Sequence, residues 1–306
     1  MNEMKYYNTE RKLRYIDVKI NMVTLDEHLI RMVLSRPCDF ETEKGKDVCD
    51  FTEKEAMEYL VSLNKRTYDA LNSEYYIITQ YIDWCLSQGF VIDGQNHFKT
   101  LTVEMVRSCV NLMAADSAII TKKEFLQNLK YLENPRDQFI MLMAFEVGIK
   151  DSYRDIRNVS IEDFKERSVA LTGRKACISS KLYQLAKEAD EETKYYVNEK
   201  FFSYLIPNGH IVKYTRTSKD KESEMKRQAM YRLFIKNLSD MGYEGLRPKD
   251  IEKSGIIHMV KQLAKQHKIR TRDVVADKQL YGFVCRQYDF KMYWSTFWSK
   301  YERWLE

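Results

Sequence analysis

Proline and glycine are scarce, at four and ten residues in a chain of 306. So few turn-formers exclude an all-β fold with many tight turns and point to a mainly helical protein. No apolar run approaches the roughly 20 residues that a membrane span requires. The polar stretch Met1 to Arg14 also lacks the apolar core of a signal peptide. The expectation is a cytoplasmic protein with no membrane partner. The six cysteines are scattered without a C-x-x-C pair, and the five histidines stand apart, outside any H-E-x-x-H or Cys/His knuckle. This distribution predicts free thiols in a reducing compartment and gives no support to a metal site or a cofactor.

What is present is enough for packed cores: 44% of residues are hydrophobic and 13% aromatic, which excludes wholesale disorder. The length allows two domains with a terminal arm. The net charge of +5 is modest, but its distribution is one-sided. Lys213, Arg216, Lys219, Lys221, Lys226, Arg227 and Arg232 share their stretch with three acids, and Lys261, Lys265, Lys268, Arg270 and Arg272 share theirs with none. Acidic residues crowd Asp39 to Glu58 and Asp155 to Glu166 instead. A one-sided basic surface is the electrostatic footprint of nucleic-acid binding.

Residues 1–45 read as an N-terminal helical arm, with a periodic run from Leu25 to Leu34. A helical domain over 46–115 opens at Thr52, an N-cap with Glu55 three residues on as its reciprocal partner. Helices are expected from Leu71 to Gln88 and from Thr102 to Met113, and Ala114 to Ser117 reads as a linker. In a second domain over 118–306, Thr121 and Glu124 form another capping pattern, and Gln138 to Val147 is a strongly apolar helix. Ser160 to Phe164, Ser168 to Thr172 and Ala176 to Ser179 predict a small three-stranded sheet. Helices are expected at Ser180 to Ala189, Glu192 to Tyr204, Glu222 to Met241 and Pro248 to His267, and from Phe290 to the C-terminus.

This order resembles the two-domain layout of the tyrosine recombinases (phage integrases) over roughly residues 50–306. Thr121 to Phe125 with Asn134 to Asp137 is similar to the family's entry to its catalytic domain. Phe139 to Ile149 is similar to the helix that ends in the first catalytic Arg, and Ile156 to Phe164, Ala176 to Ala186 and Tyr204 to Pro207 are similar to the segments that follow. Pro248 to Gly255 resembles the second catalytic box, P-H-D-L-R-H-T/S-x. The resemblance implies a mainly α (α+β) fold, with a helical core-binding-type domain and a catalytic-type domain carrying a three-stranded antiparallel sheet.

The site that the resemblance implies is altered throughout. The first Arg falls at Lys150, with Ser152 as a competing alignment and Arg154 near enough to substitute. The strand-turn Lys falls at Arg174 or Lys175, the second-box His and Arg at Lys249 and Glu252, and the third-box His has no match in Val274 to Lys278. The nucleophile falls at Tyr281 or Tyr288. Phosphoryl transfer of this kind needs guanidiniums on the phosphorane and a proton donor for the leaving oxygen. An Arg-to-Lys change loses the bidentate fork. A carboxylate facing phosphate at ~4 Å is repelled by about 4 kcal/mol at an effective dielectric of roughly 20. The expectation is a protein that does not cut DNA, with Glu252 paired to a neighbouring Lys or Arg.

Loss of chemistry leaves a clamp for double-stranded DNA. The expected contacts are Lys65, Arg66 and Tyr68 in the first domain, and Lys150, Arg154, Arg174, Lys175, Lys213, Arg216, Arg227, Lys249 and Lys253 in the second. Tyr293, Trp294, Phe297, Trp298, Tyr301, Trp304 and Leu305 recur at helical spacing. That stripe either docks on the chain's own core or joins two copies as a homodimer. The composite expectation is a nucleoid-associated transcriptional repressor of a bacterial host cell, open to a protein or peptide regulator and similar to the recombinase-derived master repressors of SPβ-type prophages. An active integrase with a divergent site and an accessory protein without DNA contact are the alternatives.

Overall fold

The computed structural model describes residues 4–22, 26–198, 200–215 and 225–306. The chain divides into two compact units, Met1–Asp116 and Ser117–Glu306.

The first unit is helical: α1 (Thr9–Met22), α2 (Glu27–Ser35), α3 (Cys38–Lys44), α4 (Glu53–Ser62), α5 (Tyr68–Ser87), α6 (Val103–Ser108) and α7 (Leu112–Asp116). The capping box predicted at α4 is present: Glu55 N–H donates to Thr52 Oγ1, and Thr52 N–H donates to Glu55 Oε2 at 2.8 Å. The segment read as an arm supplies Tyr15, Ile16, Ile30, Val33 and Leu34 to the core that Tyr59, Leu60, Ile78 and Tyr81 also form. Lys12 and Glu41 are fully buried within this unit. Lys12 Nζ donates to Glu41 Oε1 at 2.6 Å, and the same oxygen accepts the Val48 N–H at 2.9 Å.

The single helix expected over Thr102 to Met113 is instead two, α6 and α7. Asn111 separates them: its N–H donates to Lys65 O at 2.8 Å, and its Oδ1 accepts the Ala114 N–H at 2.9 Å. A side-chain oxygen that satisfies a first-turn N–H starts a new helix. Most of the stretch read as a linker therefore lies in α7.

The second unit is built on α9 (Pro135–Glu146), whose residues Phe139 to Phe145 are all buried. Around it in sequence lie α8 (Lys122–Asn128), α10 (Lys150–Asn158), α11 (Ser180–Glu191), α12 (Arg227–Asp240), α13 (Pro248–His267), α14 (Thr271–Ala276), α15 (Lys278–Tyr288) and α16 (Trp294–Leu305). The expected antiparallel sheet is present with shifted limits, as β1 (Phe164–Lys165), β2 (Ser168–Leu171) and β3 (Arg174–Cys177) in that spatial order, while Ile161–Asp163 of the first expected strand forms a 3-10 turn. Where α13 crosses α9, the residue is Gly255. A Cβ built there would lie 1.8 Å from the Phe145 carbonyl oxygen, so only glycine allows the two backbones to approach this closely.

The helix expected over Glu192 to Tyr204 is a β-hairpin, β4 (Lys194–Asn198) and β5 (Phe201–Tyr204). Tyr, Val and Phe favour strands, and Asn198 makes the turn by accepting the Lys200 and Phe201 N–H groups at 3.0 Å. Tyr195 anchors the hairpin through its hydroxyl, which donates to buried Asp137 at 3.0 Å. Glu192 sits at its base and accepts the Arg136 N–H at 3.0 Å. Burial pushes its carboxyl up to about 7, against the opposing pull of Arg136.

An unfolded Glu titrates near 4.3, so the folded state holds this proton more tightly. The resulting stabilisation is full below the unfolded pKa and is lost as pH rises through about 7. Glu192→Gln is expected to abolish this loss: its melting temperature should fall less than the wild type's between pH 5 and pH 8.5, as read by thermal denaturation.

Candidate nucleic-acid interface

After α9 the chain turns at Gly148, whose φ of +104° suits glycine alone among common residues. Ser152 and Tyr153 also have left-handed backbone, at φ +59° and +68°. The turn is closed by a residue 103 positions away. Glu252, on the second turn of α13, accepts the Ile149 N–H on Oε1 at 3.0 Å and the Lys249 ammonium on Oε2 at 2.8 Å. Its side chain is 10% exposed, against 72% for Lys249. The acid that the resemblance places on a phosphate-binding Arg is thus a buried acceptor inside the fold.

Neither candidate nucleophile is free. Tyr288 is buried and donates to the Phe145 carbonyl at 2.9 Å, and burial holds its phenol well above the usual range. Tyr281 donates to the Met292 carbonyl at 2.9 Å, and burial again raises it. A phenol whose proton is held by a backbone carbonyl and whose ionisation burial disfavours is a poor attacking group. The region without a third-box His places Val274 and Val275 in a core, while Asp277 caps α15 by accepting the Gln279 and Leu280 N–H groups.

Two of the cations expected to contact DNA are taken up inside the protein. Arg174 is buried against Asp155 at 2.6 Å and donates to the Gln287, Arg286 and Val147 carbonyls. Lys213 is buried at the end of α11, where its ammonium donates to the Ala189, Asp190 and Glu192 carbonyls. A helix C-terminus presents unsatisfied carbonyls that attract a cation, and here one meets Lys213. The Lys213 ammonium and the two terminal nitrogens of Arg174 thus meet acceptors within the protein, while Arg174 Nε has none among the described residues.

Others are partly engaged. Lys150 pairs with Asp289 at 2.7 Å, and Lys253 lies 3.3 Å above the Trp304 ring. In the first unit, Lys65 shares the buried carboxylate of Glu74 with Arg36. Arg66 is half-buried in the same turn, and Tyr68, the first residue of α5, lies under Arg107 at 5.1 Å. Arg154 on α10, Lys175 on β3 and Arg227 at the start of α12 are exposed. Arg216 lies outside the described residues.

Around Gly148 the structure therefore brings together Lys150, Arg174, Lys249, Glu252 and Tyr288, each held by a partner. The partners were invisible in the local motifs. Asp155, Asp289 and Gln287 are the main ones, and Gln287 ties β3 to α9 by donating to the Cys177 and Glu146 carbonyls at 2.7 Å. The aromatic stripe of α16 buries Phe297, Tyr301 and Leu305 in the core formed with α13, α14 and α15, and leaves Tyr293 and Trp294 exposed. Among the described residues, no helix is long and apolar enough to cross a membrane, and no group of three or more His, Cys, Asp or Glu side chains could hold a metal ion.

Fold and site define a tyrosine-recombinase-like protein with a degenerate reaction centre. The chain belongs to the MrpR family: residues 119–303 match the family described as MrpR, C-terminal catalytic domain, and residues 6–87 that described as MrpR, N-terminal core-binding domain. It is similar to the SPbeta prophage-derived uncharacterized protein YopR of Bacillus subtilis (strain 168), at 24% identity over 279 residues that cover 85% of this chain and 83% of the relative. Among solved structures it is similar to a lambda integrase (75–356) dimer bound to a COC′ core site, with a TM-score of 0.47 and 12% identity over 94% of each chain. A lambda integrase (residues 75–356) bound to DNA gives 0.46 and 11%, over 93% of this chain and 98% of that one.

Proposed function

We propose that this protein holds duplex DNA without cutting it and acts as a sequence-specific repressor in the control of prophage lysogeny. The observation that carries the reading is the reaction centre itself. Glu252 is seated at the Gly148–Ile149 turn, and both candidate phenols donate to backbone carbonyls. The prophage origin of the YopR relative supports the regulatory setting. Exposed Arg154, Lys175 and Arg227 remain as contacts for phosphate.

Genome-wide occupancy followed by gel shifts on the recovered promoters tests this reading. Binding is expected to weaken linearly in log–log form with salt. Arg154→Gln, Lys175→Gln and Arg227→Gln should each reduce the slope by about 0.9, the release expected per phosphate contact. Nicked suicide duplexes should trap no covalent adduct. An adduct that disappears in Tyr281→Phe or Tyr288→Phe would instead show an active recombinase, and occupancy no better than bulk DNA would end the repressor reading.

A further inference from the structure

The carboxylate of Glu252 occupies a place built for an oxyanion. Each of its oxygens takes one donor, the Ile149 N–H at 3.0 Å and the Lys249 ammonium at 2.8 Å. Gly148 leaves the room: a Cβ there would lie 2.9 Å from Glu252 Oε1. The neighbouring cations are balanced in the same way, Lys150 by Asp289 at 2.7 Å and Arg174 by Asp155 at 2.6 Å. A backbone N–H and an ammonium converging on two oxygens of one anion is also how proteins hold phosphate. Here the anion belongs to the chain.

We propose that Glu252 is a built-in counter-anion. It fills the oxyanion position formed by Ile149 N–H and Lys249, and it keeps that position closed to external phosphate. It follows that any duplex the protein holds seats no phosphate at this turn. This second half rests on the DNA-holding reading above; the first half stands on the geometry alone.

Inorganic phosphate is the probe, titrated into full-length protein labelled with 15N-isoleucine. In the wild type, the Ile149 amide resonance should stay in place. In Glu252→Ala it should move saturably with phosphate, and adding Lys249→Gln should remove that response. A saturable shift in the wild type, or none in a folded Glu252→Ala, overturns the proposal. Should Glu252→Ala fail to fold, Glu252→Ser carries the same titration, because its short side chain also vacates the position and removes the charge.

On DNA, Lys249→Gln is expected to leave the salt slope unchanged, since its charge is already paired within the protein. A slope reduced by about 0.9 would mean that Lys249 holds a phosphate, and the closed position would be refuted. A wild type that binds no duplex would sink the DNA-holding reading and leave the phosphate titration to judge Glu252.

Discussion

Gly255→Ala is expected to destabilise the protein by about 3 kcal/mol, the upper part of the range for overpacking a filled core. Alanine is the better helix former by about 1 kcal/mol, so propensity alone predicts a more stable α13. Sterics decide otherwise. The added Cβ would fall 1.8 Å from the Phe145 carbonyl oxygen, 2.8 Å from its carbon and 2.8 Å from the Tyr288 hydroxyl. The first two are backbone atoms of α9, a buried helix that cannot swing aside as a surface side chain can. Relief requires α13 to move away from α9, which also lengthens the Glu252–Ile149 hydrogen bond. Urea denaturation should show a lower midpoint with an unchanged slope. A variant as stable as the wild type would mean that the two helices do not meet at this glycine.

Lys12→Met should cost about 3–5 kcal/mol, the penalty for removing one member of a buried ion pair. Both side chains are fully shielded from water, and without the ammonium the Glu41 carboxylate keeps, among the described residues, the Val48 N–H as its hydrogen-bond donor. Burial already raises the Glu41 carboxyl even with Lys12 beside it. In the variant the acid is pushed further toward its neutral form. A carboxyl raised in the folded state favours folding at low pH and opposes it as pH climbs. The deficit should therefore be larger at pH 8 than at pH 5, measured by urea unfolding at both. The double variant Lys12→Met, Glu41→Leu should recover most of the loss, because apolar replacement of a whole buried pair is often neutral or stabilising. A deficit that is independent of pH and not rescued would point to lost packing of the lysine stem.

Much of the fold was legible because its signals are local. Pro248 at the first helical position and the amphipathic run behind it give α13 its observed limits, Pro248–His267. Thr52 and Glu55 mark the start of α4 in the same way. The hairpin at Lys194–Tyr204 was missed because a short aromatic run fits helix and strand periods alike, and the deciding Asn198 turn is a single residue. The site was harder to read because charge on a sequence does not say what the charge faces. Arg174 and Lys213 look the same as Arg154 until the fold sets carbonyls and Asp155 around them. Glu252 and Ile149 meet across 103 residues, a distance no motif spans.

The Glu252 contact also bears on how this lineage can change. Restoring a guanidinium by Glu252→Arg would aim a donor at the Ile149 N–H and a cation at the Lys249 ammonium, with the Tyr288 phenol still tied to Phe145. The first step back toward strand cleavage thus damages the scaffold before any chemistry is regained. One substitution at this position therefore cannot supply the missing guanidinium without opening the turn that Glu252 closes.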